Sequence, residues 1–204
     1  ISAAEEVDRL TPVLNMVQDT TTSLISVDTY KPEVAEFALK NGAHIINDIS
    51  GGDSAELLNI VATYKAGIVL MHKHGNPTDM QDNPTYPNVV DTVYTYLSKQ
   101  IQTARQAGIT DIVIDPGIGF GKTLDHNLAL LKQLSVFKDL GCPILIGTSN
   151  KRFIQDLTGA PTQERLPGSL ASVIAGYQHG AHIFRVHNIK ETIQALDVYR
   201  AIHA

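Results

Sequence analysis

The chain has 204 residues, 43% hydrophobic and 18% charged, the balance of an ordinary soluble globular protein with enough length for a sizeable core. Sixteen Lys and Arg stand against 21 Asp and Glu, a formal net charge of -5 mixed along the chain, which excludes a nucleic-acid surface of clustered cations and leaves any anionic substrate to a few local ones. No apolar run approaches the ~20 residues that cross a bilayer, and a single cysteine, Cys142, excludes an intramolecular disulfide and a Cys-rich zinc site, as suits a reducing, cytoplasmic setting.

Residues 2–17 read as a helix with Val7, Leu10, Leu14 and Val17 on one face, and no strand precedes it. Short apolar, β-branched runs then alternate with longer stretches of helical spacing. A strand at 24–27 leads to Asp28, and a helix at 31–41 is closed by Gly42. A strand at 44–46 leads to Asn47 and Asp48, and Ser54 caps a helix at 54–65. A strand at 67–71 leads to His72, and a helix at 88–107 is closed by Gly108. A strand at 111–114 leads to Asp115 and a glycine-rich turn, followed by a helix at 125–138. A strand at 143–146 leads to Thr148 and Ser149, and Thr162 is the expected cap of a helix at 163–179 closed by Gly180. The last strand, 182–186, carries Arg185 and leads to His187 and a helix at 189–203.

This alternation predicts a parallel sheet, with strands buried on both faces and helices outside. Every strand ends in a polar or reactive residue, which favours a (β/α)8 TIM barrel, where all strand C-termini meet at one mouth, over an open sheet with one switch point. Six strand–helix units are present, and the barrel needs eight. The first two strands and loops are therefore expected to lie outside this chain, leaving residues 1–204 as one N-terminally incomplete barrel domain.

Several strand ends carry chemistry. The segment 115–123 invites a nucleotide reading but fails both templates. Pro116 stands where a P-loop needs Gly, and Lys122 stands where a dinucleotide fingerprint needs one. The remaining readings are a plain flexible turn, or a loop that closes on a ligand with Phe120 against it. Asp28, Asn47 and Asp115 come from three strands. Each alone could be a solvated loop residue. Together they suit the in-plane hydrogen bonds of a 2-amino-4-oxopyrimidine, whose ring N–H and amine match a carboxylate. Lys151 is a solvent-facing residue at a helix start, a Schiff-base lysine, or a cationic clamp. No neighbour in sequence depresses its pKa, which favours the clamp. Arg185 and His187 fall on one side by alternation and form an anion site, for example for a leaving diphosphate, or else a helix-capping Arg and a structural His. His72 and His74, with Asp115, resemble the first ligands of a metal hydrolase, but later strands lack the further histidines. His44 and His182, near strand starts, read as structural.

Taken together, Ile25-Ser-Val-Asp-Thr29, Ile45-Ile-Asn-Asp-Ile49, Val69-Leu-Met-His72, Asp115-Pro-Gly-Ile-Gly-Phe-Gly-Lys122, Thr148-Ser-Asn-Lys-Arg-Phe153 and Arg185-Val-His187 resemble the dihydropteroate synthase family, in order and spacing, over essentially the whole chain. The resemblance implies a transferase of folate biosynthesis. It would condense 6-hydroxymethyl-7,8-dihydropterin diphosphate with 4-aminobenzoate, giving 7,8-dihydropteroate and diphosphate with the help of Mg2+. By position, Asp28, Asn47, Ile49, Met71, Asp115 and Lys151 would bind the pterin. Arg185 and His187 would hold diphosphate, and Phe120, Ser149 and Lys151 would shape the aminobenzoate site. It further implies a homodimer with small-molecule substrates, no nucleic acid and no membrane. No metal ligand falls in this chain, because the family's metal-binding Asn belongs to the upstream segment. Asn150 stands where the family usually has Arg. The alternatives are a pterin-dependent methyltransferase domain and a barrel that binds pterin without turnover.

Overall fold

The computed structural model describes residues 1–75 and 84–204, which divide into two compact units. One unit comprises Ile1–His72 and Tyr96–Ile114, the other Lys73–Thr95 and Asp115–Ala204. The elements, in chain order, are helix α1 (Ala3–Thr20), strand β1 (Ser26–Asp28), α2 (Pro32–Lys40), β2 (Ile45–Asp48), α3 (Ala55–Thr63), β3 (Gly67–Met71), α4 (Val89–Gln106) and β4 (Ile112–Asp115). Then follow α5 (Leu124–Lys132), β5 (Leu145–Ile146), α6 (Arg152–Thr158), α7 (Leu166–Gln178), β6 (Ile183–Phe184) and α8 (Ile189–His203). Among the described residues no helix is long and apolar enough to cross a membrane.

In the first unit, β1 to β4 hydrogen-bond in sequence order, each strand beside the next in the chain. The parallel register pairs Asp28 with Asn47 and Asp48 with Leu70, so the polar residues come level at the strands' C-terminal ends. Ile46, Ile68 and Leu70 are fully buried, and the helices supply Val34, Leu57 and Val61 to the same core. β2 and β3 are buried nearly throughout, as expected; β1, at one end of the strand order, buries only Val27.

In the second unit β5 and β6 form a short parallel pair, with Leu145 opposite Ile183. Here β6 is not buried on both faces, and Ile183 is 40% exposed. The expected helix at 125–138 divides. α5 stops at Lys132 and a 3-10 helix, Leu134–Leu140, follows. Leu134 and Phe137 are three apart and both fully buried, and three residues per turn keeps them on one face.

Ser54 caps α3 as expected, accepting from the Leu57 N–H at 3.2 Å. Thr162 does not cap α7. It opens a separate 3-10 turn, Thr162–Glu164, and α7 begins at Leu166. A helix begun at 163 would put Pro167 in its second turn, where the ring strikes a carbonyl; starting at Leu166 keeps Pro167 in the first turn. Gly42, Gly108 and Gly180 follow α2, α4 and α7 with φ of 82°, 96° and 95°, the left-handed stop expected of them. His44 and His182 perform the same structural task in different units. Each imidazole Nδ1 accepts a backbone N–H, from Ile25 at 3.1 Å and from Ile144 at 3.2 Å.

Candidate functional site

Each unit carries its own share of the expected side chains. In the first, Asn47 Nδ2 donates to Asp28 Oδ1 at 2.7 Å, a contact set by their level register across β1 and β2. Asp28 is exposed while Asn47 is buried. Asn47 Oδ1 is fully covered and has no hydrogen-bond partner, and it is the sole such side-chain atom among the described residues. A buried acceptor left unpaired is costly, and sites built to receive a donor are where such atoms occur.

Ile49 follows β2, half-buried, in a turn organised by Asp48. Asp48 is fully buried. Its Oδ1 accepts from Ser50 N (2.8 Å) and Ser50 Oγ (2.6 Å), and its Oδ2 accepts from Gly52 N (2.8 Å). Tyr96 OH donates to Ser50 O at 3.1 Å, and buried His72 meets the Tyr96 ring edge-to-face at 5.0 Å. Met71, 2% exposed, closes β3. His72 therefore packs in a polar wall behind the Ile49 turn, a role that no motif in the sequence assigns to it.

In the second unit Asp115 is 7% exposed, and its Oδ1 accepts from Gly117 N at 2.7 Å. Burial pushes its pKa above 3.8, against the Gly117 N–H and the charges of Lys151, Lys122 and Arg185. Asp115 thus feels three cations, Lys122 from its own loop and Lys151 and Arg185 from farther along the chain. Lys151 is half-buried with its Nζ 4.1 Å from the Phe120 ring centroid, a cation–π contact. Its stem crosses Gly119 so closely that a Cβ there would lie 3.3 Å from Lys151 Cδ. Burial lowers the Lys151 pKa, Asp115 opposes the shift and Arg185 adds to it. The sequence offers no cause for a depressed Lys151; tertiary burial supplies one.

Ser149, buried, places its Oγ 2.9 Å from His187 Nδ1 and accepts the His187 N–H at 3.3 Å. Arg185 and His187 are both exposed, beyond the two residues of β6. Lys122 ends the glycine-rich motif, and the sequence gives it no role of its own. It is 3% exposed and its Nζ donates to Gly117 O (2.9 Å) and Phe120 O (3.0 Å), bracing the loop that carries Phe120. Burial brings its pKa down to about 7. The same loop is held by Asn127, which accepts from Gly119 N at 2.7 Å, and by Tyr86, whose hydroxyl donates to Gly121 O at 2.8 Å. A glycine-rich run after a strand signals a loop, but these partners are backbone groups that no motif encodes.

Among the described residues no group of three or more His, Cys, Asp and Glu side chains could hold a metal ion. His72 and His74 do not form one; His74 instead meets the Tyr86 ring at 5.4 Å.

Residues 1–187 match the family profile described as pterin binding enzyme. Dihydropteroate synthase from Escherichia coli K12 is 42% identical over 203 residues, covering 98% of this chain and 72% of that protein. The Thermus thermophilus dihydropteroate synthase solved in complex with 6HMPPP superposes with a TM-score of 0.95 at 40% identity, covering 100% of this chain and 81% of the other. The Xanthomonas albilineans dihydropteroate synthase in complex with 7,8-dihydropteroate gives a TM-score of 0.94 at 38% identity, covering 100% and 78%. This chain shares their fold, the TIM-barrel class expected from the strand ends.

Proposed function

Because the chain belongs to the dihydropteroate synthase family of pterin-binding enzymes, we propose how its own residues carry that family's reaction, the condensation of 6-hydroxymethyl-7,8-dihydropterin diphosphate with 4-aminobenzoate. Residues 1–204 act as one pterin-binding domain. The observation that carries the assignment is the Asn47–Asp28 pair with its unpaired, buried Oδ1. A pterin ring edge offers that oxygen an N–H, and it offers Asp28 an adjacent ring N–H and amine. Asp115 adds a second carboxylate for the ring, and Lys151 adds a donor. Ile49 and Met71 line the ring's apolar edge.

Arg185 and His187 hold the diphosphate, and the Ser149 hydroxyl fixes the His187 ring. The reaction breaks the C–O bond to diphosphate and forms a C–N bond to the amine. One amine proton is released, ending on diphosphate or solvent. Positive charge that develops on the pterin as the C–O bond breaks is met by Asp28 and Asp115. Phe120, Ser149 and the Lys151 stem shape the place of the incoming aminobenzoate ring, so that catalysis rests on positioning and charge, without a covalent enzyme intermediate. Mg2+ assistance, a cytoplasmic location and a homodimer belong to the same proposal and are supported by the family resemblance. The exposed Ile189, Ile193, Val198 and Ile202 of α8 give an assembly apolar surface to use.

The test is diphosphate release by the full-length protein, measured with each substrate alone and with both. Release that requires both substrates, with dihydropteroate as product, is expected. A folded protein that releases none would refute the assignment, and methyl transfer from a methylated tetrahydropterin would replace it.

A further inference from the structure

We propose that Arg165 and Ser169, at the start of α7, are positioning residues that lock the backbone of Asn150 in a left-handed turn and so aim the side chains on either side of it. Ser149 is turned to the diphosphate subsite, and Lys151 to the pterin and aminobenzoate subsites. The inference rests on the roles proposed above for Ser149, Lys151 and His187.

Asn150 has φ of 57°. Residues with a Cβ adopt that region at a cost, which Asn bears better than most. Both of its backbone groups are engaged by α7. Its N–H donates to Ser169 Oγ at 3.0 Å, and its carbonyl accepts from Arg165 Nη1 at 2.8 Å. Ser169 Oγ in turn donates to Arg165 O at 2.9 Å, which closes the ring of contacts. Arg165 is 7% exposed. Its guanidinium also donates from Nε to Ala160 O at 3.2 Å and from Nη2 to Gln155 Oε1, so one planar group ties residues 150, 155 and 160. A lysine ammonium is a point charge and cannot span three acceptors in that way.

The start of α7 is itself held against α6. A Cβ on Gly168 would lie 2.5 Å from Ile154 Cγ2, so only glycine permits this approach. The residue before Asn150 presents its hydroxyl 2.9 Å from His187 Nδ1, and the residue after it presents its ammonium 4.1 Å from the Phe120 ring centre. Rotation of residue 150 into the ordinary helical or extended region would swing both neighbours away from these partners. By contrast, the Asn150 side chain makes one contact at the limit of hydrogen bonding, 3.5 Å to Ser169 Oγ. The backbone, rather than the side chain, is what this position contributes.

The experiment compares Asn150→Gly, Asn150→Ala and Arg165→Lys in the full-length protein, measuring KM for each substrate, kcat and Tm. Glycine keeps the left-handed turn and is expected to hold both KM values within about twofold. Alanine disfavours it and is expected to raise both KM values about tenfold, with Arg165→Lys moving them in the same direction. Equal KM values for Asn150→Gly and Asn150→Ala would overturn the proposal. So would an Arg165→Lys protein that loses Tm while keeping both KM values. If Arg165→Lys does not fold, the Asn150 pair decides alone. A parent protein without turnover would count against the assigned reaction instead. Calorimetric binding of inorganic diphosphate, weaker in Asn150→Ala than in Asn150→Gly, would then read the clamp directly, and equal binding would refute it.

Discussion

Asp115 is a carboxylate placed where charge is penalised. It is 7% exposed, and burial, the largest influence on it, raises its pKa; the Gly117 N–H and three cations favour the ionised form against that penalty. In the proposed reaction the ionised form of this group is what meets the positive charge developing on the pterin. Asp115→Asn is expected to reduce kcat by about 10²–10³-fold, the usual magnitude for losing one preorganised electrostatic partner. Its Tm should stay near the parent's, because the burial penalty that raises its pKa outweighs what the Gly117 N–H and the cations return. Measuring kcat beside a calorimetric scan separates the cases, and a large fall in Tm would make Asp115 a folding residue instead.

At the scale of elements, the glycine-rich loop after β4 depends on side chains from outside itself. Tyr86 OH donates to Gly121 O at 2.8 Å, and burial pushes the phenol up to about 12, so it remains a neutral donor across working pH. Tyr86→Phe should cost about 1 kcal/mol of stability, the value of one net hydrogen bond. It should also raise KM for 4-aminobenzoate several-fold through Phe120, with KM for the pterin substrate nearly unchanged; a uniform rise in both would sink the assignment of this loop to one subsite. The strands are legible in the sequence because β2, β3 and β4 are continuous apolar runs closed by a polar residue, a pattern that one-dimensional reading captures. α6 is not, since its seven residues are too few to display a period. The 3-10 helix merges with α5 in the sequence because Leu131, Leu134 and Phe137 carry one i, i+3 run of buried apolar residues across the break. Asp28, Asn47 and Asp115 stand out as strand-end polar residues. Lys122, Arg165 and Tyr86 do not, since each acts on backbone carbonyls whose positions exist only after folding.

Over the whole molecule, the buried cations leave a signature in the pH dependence of stability. Lys122 titrates at about 7 in the folded chain and ordinarily at 10.5. Between those values the unfolded chain holds a proton that the folded chain has released, so stability rises with pH across that window. Lys151 is displaced in the same direction. Asp115 acts lower on the scale and with opposite sign. Its folded pKa is raised above 3.8, so stability falls as pH climbs from 3.8 to the raised value. Replacing Lys122 by Met removes the largest of the alkaline contributions. The rise in Tm between pH 7 and pH 10 should therefore be smaller in Lys122→Met than in the parent, by differential scanning calorimetry. Parallel curves would show that Lys122 is charged in the folded chain throughout.

The unpaired oxygen of Asn47 has a consequence for selectivity. Its amide nitrogen is committed to Asp28, so the group cannot turn over to offer a donor without breaking that 2.7 Å contact. In the proposed pterin site that oxygen would demand a hydrogen from the ring that enters. A ring methylated at the facing nitrogen would bring no hydrogen and leave the oxygen as unsatisfied as before. Its methyl group would also clash with that oxygen. Sites that reject a ligand by leaving a buried polar atom unpaired discriminate far more steeply than sites that only add or lose apolar contact. In the proposed site the C-terminal end of β2 would thus act as a filter for tautomer and substitution state, a stricter demand than shape alone.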